Sequence, residues 1–213
     1  MRLYLSSYEF GYHPDRFFEL IDDKRVKIAI IANSADLFPE QGIEERVALD
    51  IEFFAKNGYD SERLDLREYF GDEDELEEKM QEFGVVWVRG ANVFVLIRAF
   101  ECSGFGNIIK KRLQEDSVVY GGYSAGACVM GNTLHGLELC DDAHTVPSGY
   151  EEEVIWDGLG ILPYVIVPHY DSDHPESGYI DEVVGYLYEN DIPHKKLRDG
   201  EAVFIDGTKE EIV

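Results

Sequence analysis

Cysteine is scarce. Three occur in 213 residues, Cys102, Cys128 and Cys140, and no two form a Cys-x-x-Cys pair. So odd and sparse a set supplies neither a disulfide framework nor a zinc knuckle, and it fits a reducing compartment. Cations are also few: 19 Lys and Arg against 44 Asp and Glu leave a formal net charge of −25. Such a chain repels phosphate backbones and anionic lipid headgroups, which argues against nucleic acid and membrane as partners. The same charge keeps a protein soluble without further function. No apolar run approaches the ~20 residues that span a bilayer. The opening segment, residues 1–17, has one early arginine and no long apolar stretch, so it does not read as a signal peptide. A cytoplasmic protein is expected. Repeats, low-complexity tracts and linkers are missing as well, and one domain over residues 1–213 is expected.

What remains is a chain 45% hydrophobic, enough for a sizeable core. Apolar runs of strand length recur at Leu3–Leu5, Val26–Ile31, Leu64–Leu66, Val85–Val88 and Val118–Tyr120. Helical spacing fills the gaps: Ile43, Val47, Ile51 and Phe54; Leu76, Met80 and Phe83; Phe94, Ile97 and Phe100, with Ile108 and Leu113 beyond. Continuous apolar strands alternating with amphipathic helices predict an α/β fold, a doubly wound and mostly parallel sheet covered on both faces. Further on, Leu134–Leu139 and Ile161–Val167 read as strands, and 141–157 reads as an acidic surface loop. Ile180, Val183, Val184 and Leu187 mark a helix, and the tail reads as a β-hairpin turning at Asp206-Gly207.

Gly122-Tyr123-Ser124-Ala125-Gly126 fits Gly-x-Ser-x-Gly, the nucleophile elbow. A sharp strand-to-helix turn displays the serine at the carboxyl end of a strand, where open α/β sheets bind ligands. The Ala125 N–H at the start of the following helix is then an oxyanion donor. The plainer reading is a tight turn whose serine caps a helix. A serine needs a base. Of six histidines, His169 stands out because it closes the Ile161–Val167 segment, whereas His194 reads as a solvated turn. A metal cluster of His169, Asp171, Asp173 and His174 lacks a second ligand group elsewhere in the chain. Cys128, four residues past the serine, reads as a small buried hydrophobe.

Taken together, Gly122–Ala127, the segment Leu159-Gly-Ile-Leu-Pro-Tyr running on to Val167-Pro-His-Tyr, and Val88-Arg-Gly-Ala-Asn-Val-Phe94 resemble the serine peptidase family of dipeptidase E (aspartyl dipeptidase) and cyanophycinase. The three segments stand in the family's order at about its spacing. The resemblance implies a class I glutamine amidotransferase-like, flavodoxin-like fold. It also implies Ser124 as nucleophile, His169 as base, and a second oxyanion N–H from Gly90 or Ala91. Asp199, in Lys196-Leu-Arg-Asp-Gly-Glu201, matches the family's proposed acid, while Asp141 and Asp142 match an alternative one between serine and histidine. A short peptide substrate, with neither metal nor organic cofactor, is implied. Two departures stand out. Arg89-Gly90-Ala91 replaces a run of glycines, and residues 134–138 lack the arginine expected to hold a substrate carboxylate. Arg89, or Arg98 in the following helix, is the candidate to replace it; Asn92 is a further substrate-binding candidate, and Glu151–Glu153 are candidates to meet a peptide amine. Two rivals remain: an esterase using Ser124, Asp171 or Asp173, and His194 in the order of the α/β-hydrolases, and a binding protein that has lost turnover.

Overall fold

A computed structural model describes residues 1–213. The chain runs β1 (Arg2–Ser6), α1 (Pro14–Glu19), β2 (Lys27–Ile31), α2 (Glu40–Lys56), β3 (Asp60–Arg63), α3 (Glu73–Met80), β4 (Phe83–Val88), α4 (Val93–Ser103), α5 (Phe105–Gln114), β5 (Val119–Tyr123) and α6 (Ala125–Cys128). It continues through β6 (Val165–Val167), α7 (Ser177–Glu189), β7 (His194–Lys196), β8 (Ala202–Asp206) and β9 (Lys209–Ile212). Seven strands form one sheet in the order β3-β2-β4-β5-β1-β8-β9. The first five are mutually parallel, and β8 and β9 add antiparallel at the β1 edge. The doubly wound, mostly parallel sheet expected from the sequence is therefore present.

Two separate apolar cores explain why the central strands carry unbroken hydrophobic runs. Leu3, Leu5, Ala29, Ile31, Val86 and Val88 point into one core, shared with α4 and α5. Their chain neighbours Tyr4, Ile28, Ile30, Val85 and Trp87 point into the other, shared with α1 and α2. Side chains alternate across a strand, so a sheet buried on both faces needs apolar residues at every position. Ile43, Val47 and Phe54 of α2 are buried as their spacing predicts.

Four segments differ from expectation. The third strand is Asp60–Arg63 rather than Leu64–Leu66. It lies at the sheet edge, where one flank faces water, so its polar sequence carries no hydrophobic signal. Leu66 instead opens a short 3-10 turn capped by the Asp65 side chain. Leu134–Leu139 is no strand: Leu134 and Leu137 are buried from a chain that turns at Gly136 into a 3-10 turn. Short apolar runs look the same in either setting. Of Ile161–Val167 only Val165–Val167 is extended, and it joins a separate two-stranded parallel sheet with His194–Lys196, the segment read as a solvated turn. Finally, Asp206 pairs with Lys209 across the C-terminal hairpin, so its two-residue loop is Gly207-Thr208. Gly207 takes φ +60 at the first loop position, as a type II′ turn requires.

Candidate active site

Ser124 follows β5 immediately and has φ 48, ψ −118. A non-glycine residue there costs about 1–3 kcal/mol, which the surroundings must supply. They do so from both sides. The Ser124 N–H is shared between the Ser6 and Ser7 carbonyls at the end of β1, 3.2 Å from each. On the other side Gly126 packs so tightly on β4 that a Cβ would lie 2.3 Å from the Val88 carbonyl oxygen. A larger residue at 126 would push the whole turn off the sheet. The helix that follows is a single turn, Ala125–Cys128, so the Ala125 N–H counts as an individual donor rather than the tip of a long helix dipole. It has no backbone partner, nor has the Ala91 N–H, while the Gly90 N–H faces the Tyr123 hydroxyl and no backbone carbonyl. Gly90 sits against the serine: a Cβ there would lie 2.7 Å from Ser124 Cβ.

The small β6–β7 sheet brings His169 and Asp199 together. Val167 pairs with Lys196, and Leu197 N–H bonds the Val167 carbonyl at 2.9 Å. The loops that leave the two strands therefore start side by side. His169 Nδ1 lies 2.7 Å from Asp199 Oδ1. Ser7 locks the pair: its hydroxyl accepts the His169 backbone N–H at 2.8 Å and donates to Asp199 Oδ1 at 2.8 Å. Asp199 N–H in turn donates to Ser172 Oγ at 2.8 Å. His169 has φ 60 and is 1% exposed. Its pKa is lowered: burial disfavours the imidazolium, and the Asp199 carboxylate opposes that only in part. One face of its ring stacks on His174, with centroids 3.7 Å apart and planes 8° from parallel. No hydrogen bond joins Ser124 Oγ to His169, but both line one cavity of about 540 Å³.

The other candidates are distributed as follows. Asp141 makes no hydrogen bond to His169; its carboxylate accepts the Val93 N–H at 2.7 Å at the start of α4, and loss of water pushes its pKa up to about 7. Asp142 caps its own turn through the His144 N–H at 2.8 Å. Arg89 reaches the cavity wall but is buried in an ion pair with Asp50, and it also donates to the Arg46 carbonyl. Asn92 caps α4 through the Val95 N–H and donates to the Asp142 carbonyl, outside the cavity. Arg98 is fully buried and donates to the carbonyls of Phe94, Ala143 and Glu153, pinning the 141–157 loop to α4. Glu151–Glu153 do not reach the cavity. His194 lies in β7 with Nδ1 on the Ile192 carbonyl, and Asp171 pairs with Arg198, so neither meets Ser124.

His169, His174 and Glu176 hold their ligand-type atoms within 4.8 Å of one another, without Asp171 or Asp173. Two parallel rings keep their lone pairs in separate planes, so one would have to turn before both could share an ion. Sequence reasoning missed Ser7, Glu176 and the wall built by the start of α2. Ser7 had a signal: it directly follows the first strand, at the carboxyl edge where such sheets place their sites. Glu176 and α2 had none, because their contribution depends on how loops fold over that edge.

Fold and site thus define an α/β protein whose serine elbow and carboxylate-bound histidine share one rim of the sheet. The chain belongs to peptidase family S51, whose model matches residues 14–213. It is 27% identical to a probable alpha-aspartyl dipeptidase of Drosophila melanogaster over 143 residues, 62% of this chain and 54% of the relative. It is 28% identical to a peptidase E of Streptomyces coelicolor over 136 residues, 62% of this chain and 52% of the relative. The chain thus spans about half the length of the curated relatives it matches. The crystal structure of a putative peptidase E protein from Listeria monocytogenes superposes with a TM-score of 0.80 at 19% identity, covering 100% of this chain and 97% of that one. A peptidase from an acI-B1 Actinobacterium gives 0.76 at 19% identity, covering 100% and 86%. No helix is long and apolar enough to cross a membrane.

Proposed function

We propose that this chain is a serine peptidase acting on short peptides, with Ser124 as nucleophile, His169 as general base and Asp199 as the acid that orients it. The observation that carries the reading is the 2.7 Å contact between His169 Nδ1 and Asp199 Oδ1, on a cavity that Ser124 also lines. A carboxylate at Nδ1 fixes the tautomer, leaves Nε2 free to take a proton, and stabilises the imidazolium that results. Nε2 takes the Ser124 proton as Oγ attacks the peptide carbonyl. The carbonyl oxygen gains negative charge beside the N–H groups of Ala125 and Gly90 or Ala91, none of which has a backbone partner to give up. His169 then passes its proton to the leaving amine, and an acyl group remains on Ser124. Water, deprotonated by the same nitrogen, releases it and restores the enzyme.

Membership of peptidase family S51 over residues 14–213 supports the same chemistry. The departures at residues 89 and 91 do not weigh against turnover. The Arg89 side chain turns into its pair with Asp50, and the residue that must be glycine to clear Ser124, Gly90, is kept. The test is hydrolysis of a dipeptide and tripeptide library by wild type, Ser124→Ala, His169→Ala and His194→Ala. Turnover lost in the first two variants and kept in the third is expected. Turnover that survives Ser124→Ala would contradict the reading.

A further inference from the structure

We propose that this cavity selects short peptides with a free amino terminus and an apolar or aromatic first residue, and disfavours those that begin with an acidic residue. The proposal rests on the peptidase reading above only for the consequence to turnover; the binding preference stands apart from it.

The charges on the walls carry the argument. Carboxylates come from Glu9, Glu45 and Glu176, and cations from Arg46 and Arg89. Arg89 is already neutralised by Asp50, buried beside it. Glu176 pairs with no Lys or Arg; its ring neighbours are His169, whose Nε2 is 3.9 Å from its Oε2, and His174, whose ring nitrogen lies within 4.8 Å. Glu45 accepts only from the uncharged Gln41 amide, at 2.9 Å. Glu9 and Arg46 take part in no ion pair, and Arg46 is exposed. One free guanidinium therefore faces three carboxylates, none of which is paired with a Lys or Arg.

A dipeptide always brings one ammonium and one carboxylate. Arg46 answers the carboxylate. Glu176 answers the ammonium, because it lies beside the nitrogen that must reach the scissile bond, and the amine of a first residue is only one residue's backbone from that bond. An acidic first residue brings a second carboxylate. The cavity has no second cation for it, and the like charges around it disfavour binding. Part of the remaining wall is apolar. Tyr8 is 40% and Phe38 62% exposed at the cavity, with Pro39 and Ile43 next to them. Rings left in water on a concave wall gain by covering an apolar side chain. The expected preference differs from the one in the name of the Drosophila relative, a probable alpha-aspartyl dipeptidase.

The experiment is calorimetric binding of Phe-Leu, Asp-Leu, Phe-Leu amide and N-acetyl-Phe-Leu to the full chain carrying Ser124→Ala. Ser124→Gly, which tolerates the positive φ, serves as a second background. Phe-Leu is expected to bind at least about tenfold more tightly than Asp-Leu, and N-acetylation is expected to weaken it. Adding Arg46→Met is expected to weaken Phe-Leu while leaving its amide unchanged. Equal or tighter binding of Asp-Leu overturns the proposal, and so does binding of neither peptide. Fluorophosphonate labelling of wild-type Ser124 reports separately on the nucleophile. Labelling without the binding preference sinks only the preference; the preference without labelling sinks only the peptidase reading.

Discussion

His169 and Asp199 lie 30 residues apart in the chain and 2.7 Å apart in space, each on the loop leaving one of two paired parallel strands. Nothing else in the molecule bonds the His169 Nδ1 atom. The expected consequence is that Asp199→Asn frees the imidazole to adopt the wrong tautomer. Peptide turnover should fall roughly 10²–10⁴-fold, with KM and thermal stability near those of wild type. Loss of KM alone would place Asp199 in substrate binding instead.

Ser7 holds that pair from behind: its hydroxyl accepts a hydrogen bond from the His169 N–H and donates one to Asp199 Oδ1. Ser7→Ala leaves a buried N–H without a partner at a residue already at positive φ. It is expected to destabilise the fold by about 1–3 kcal/mol and to slow turnover, both readable by denaturant melts and kinetics on the same preparation. Ser7→Thr, which keeps the hydroxyl, should recover part of both.

Gly90→Ala sets a methyl group against Ser124, with its Cβ 2.7 Å from Ser124 Cβ and 2.8 Å from Tyr123 Cε2. Relief requires Ser124 or the loop to move. Turnover should drop by about 10²-fold or more if the loop's N–H supports the oxyanion, for a stability cost of about 1–3 kcal/mol. An Ala variant as active as wild type would remove this loop from the mechanism.

The buried His169 has a lowered pKa. Its base form therefore persists below the ordinary histidine value of about 6.5, and kcat/KM should rise with pH through a limb centred below that value. In the same window the unfolded chain binds the proton first, so this residue's contribution to stability is lost as pH falls. An acid limb centred well above 6.5 would contradict the assignment of the base.

Asp141 behaves in the opposite way. Its pKa is raised to about 7 by burial, so the folded chain holds a proton that the unfolded chain releases near pH 4. Stability from this group is present at low pH and is lost as pH climbs from about 4 towards 7. Asp141→Asn keeps an acceptor for the Val93 N–H without the charge. It should gain on the order of 1 kcal/mol over wild type at pH 8 and little at pH 4, measured as thermal midpoints.

How much of this was legible in the sequence differs between the sheet and its rim. The strands β1, β2, β4 and β5 announced themselves because burial on two faces leaves no room for polar residues. The edge strand Asp60–Arg63 did not, since water on one flank removes that requirement. Ser124 was legible from local turn chemistry: a small residue is needed at 126 whatever the function, and the strand before it is strong. The partnership of His169 with Asp199 entered by family resemblance. Its physical cause, the pairing of Val167 with Lys196, joins two three-residue strands too short to show periodicity. The charges of Arg89 and Arg98 were legible, but their destinations were not. Each spends its guanidinium inside the fold, on Asp50 or on loop carbonyls, and a sequence does not show which partner a long side chain reaches.

The central claim is that Ser124 is an activated nucleophile that depends on His169. The most direct measurement is the rate of fluorophosphonate labelling of wild type, His169→Ala and Asp199→Asn, with peptide mass spectrometry to locate the adduct. A single adduct on Ser124, fast in wild type and lost or greatly slowed in both variants, is the predicted result. An unlabelled wild type, or an adduct on Ser124 that forms equally fast without His169, would contradict it.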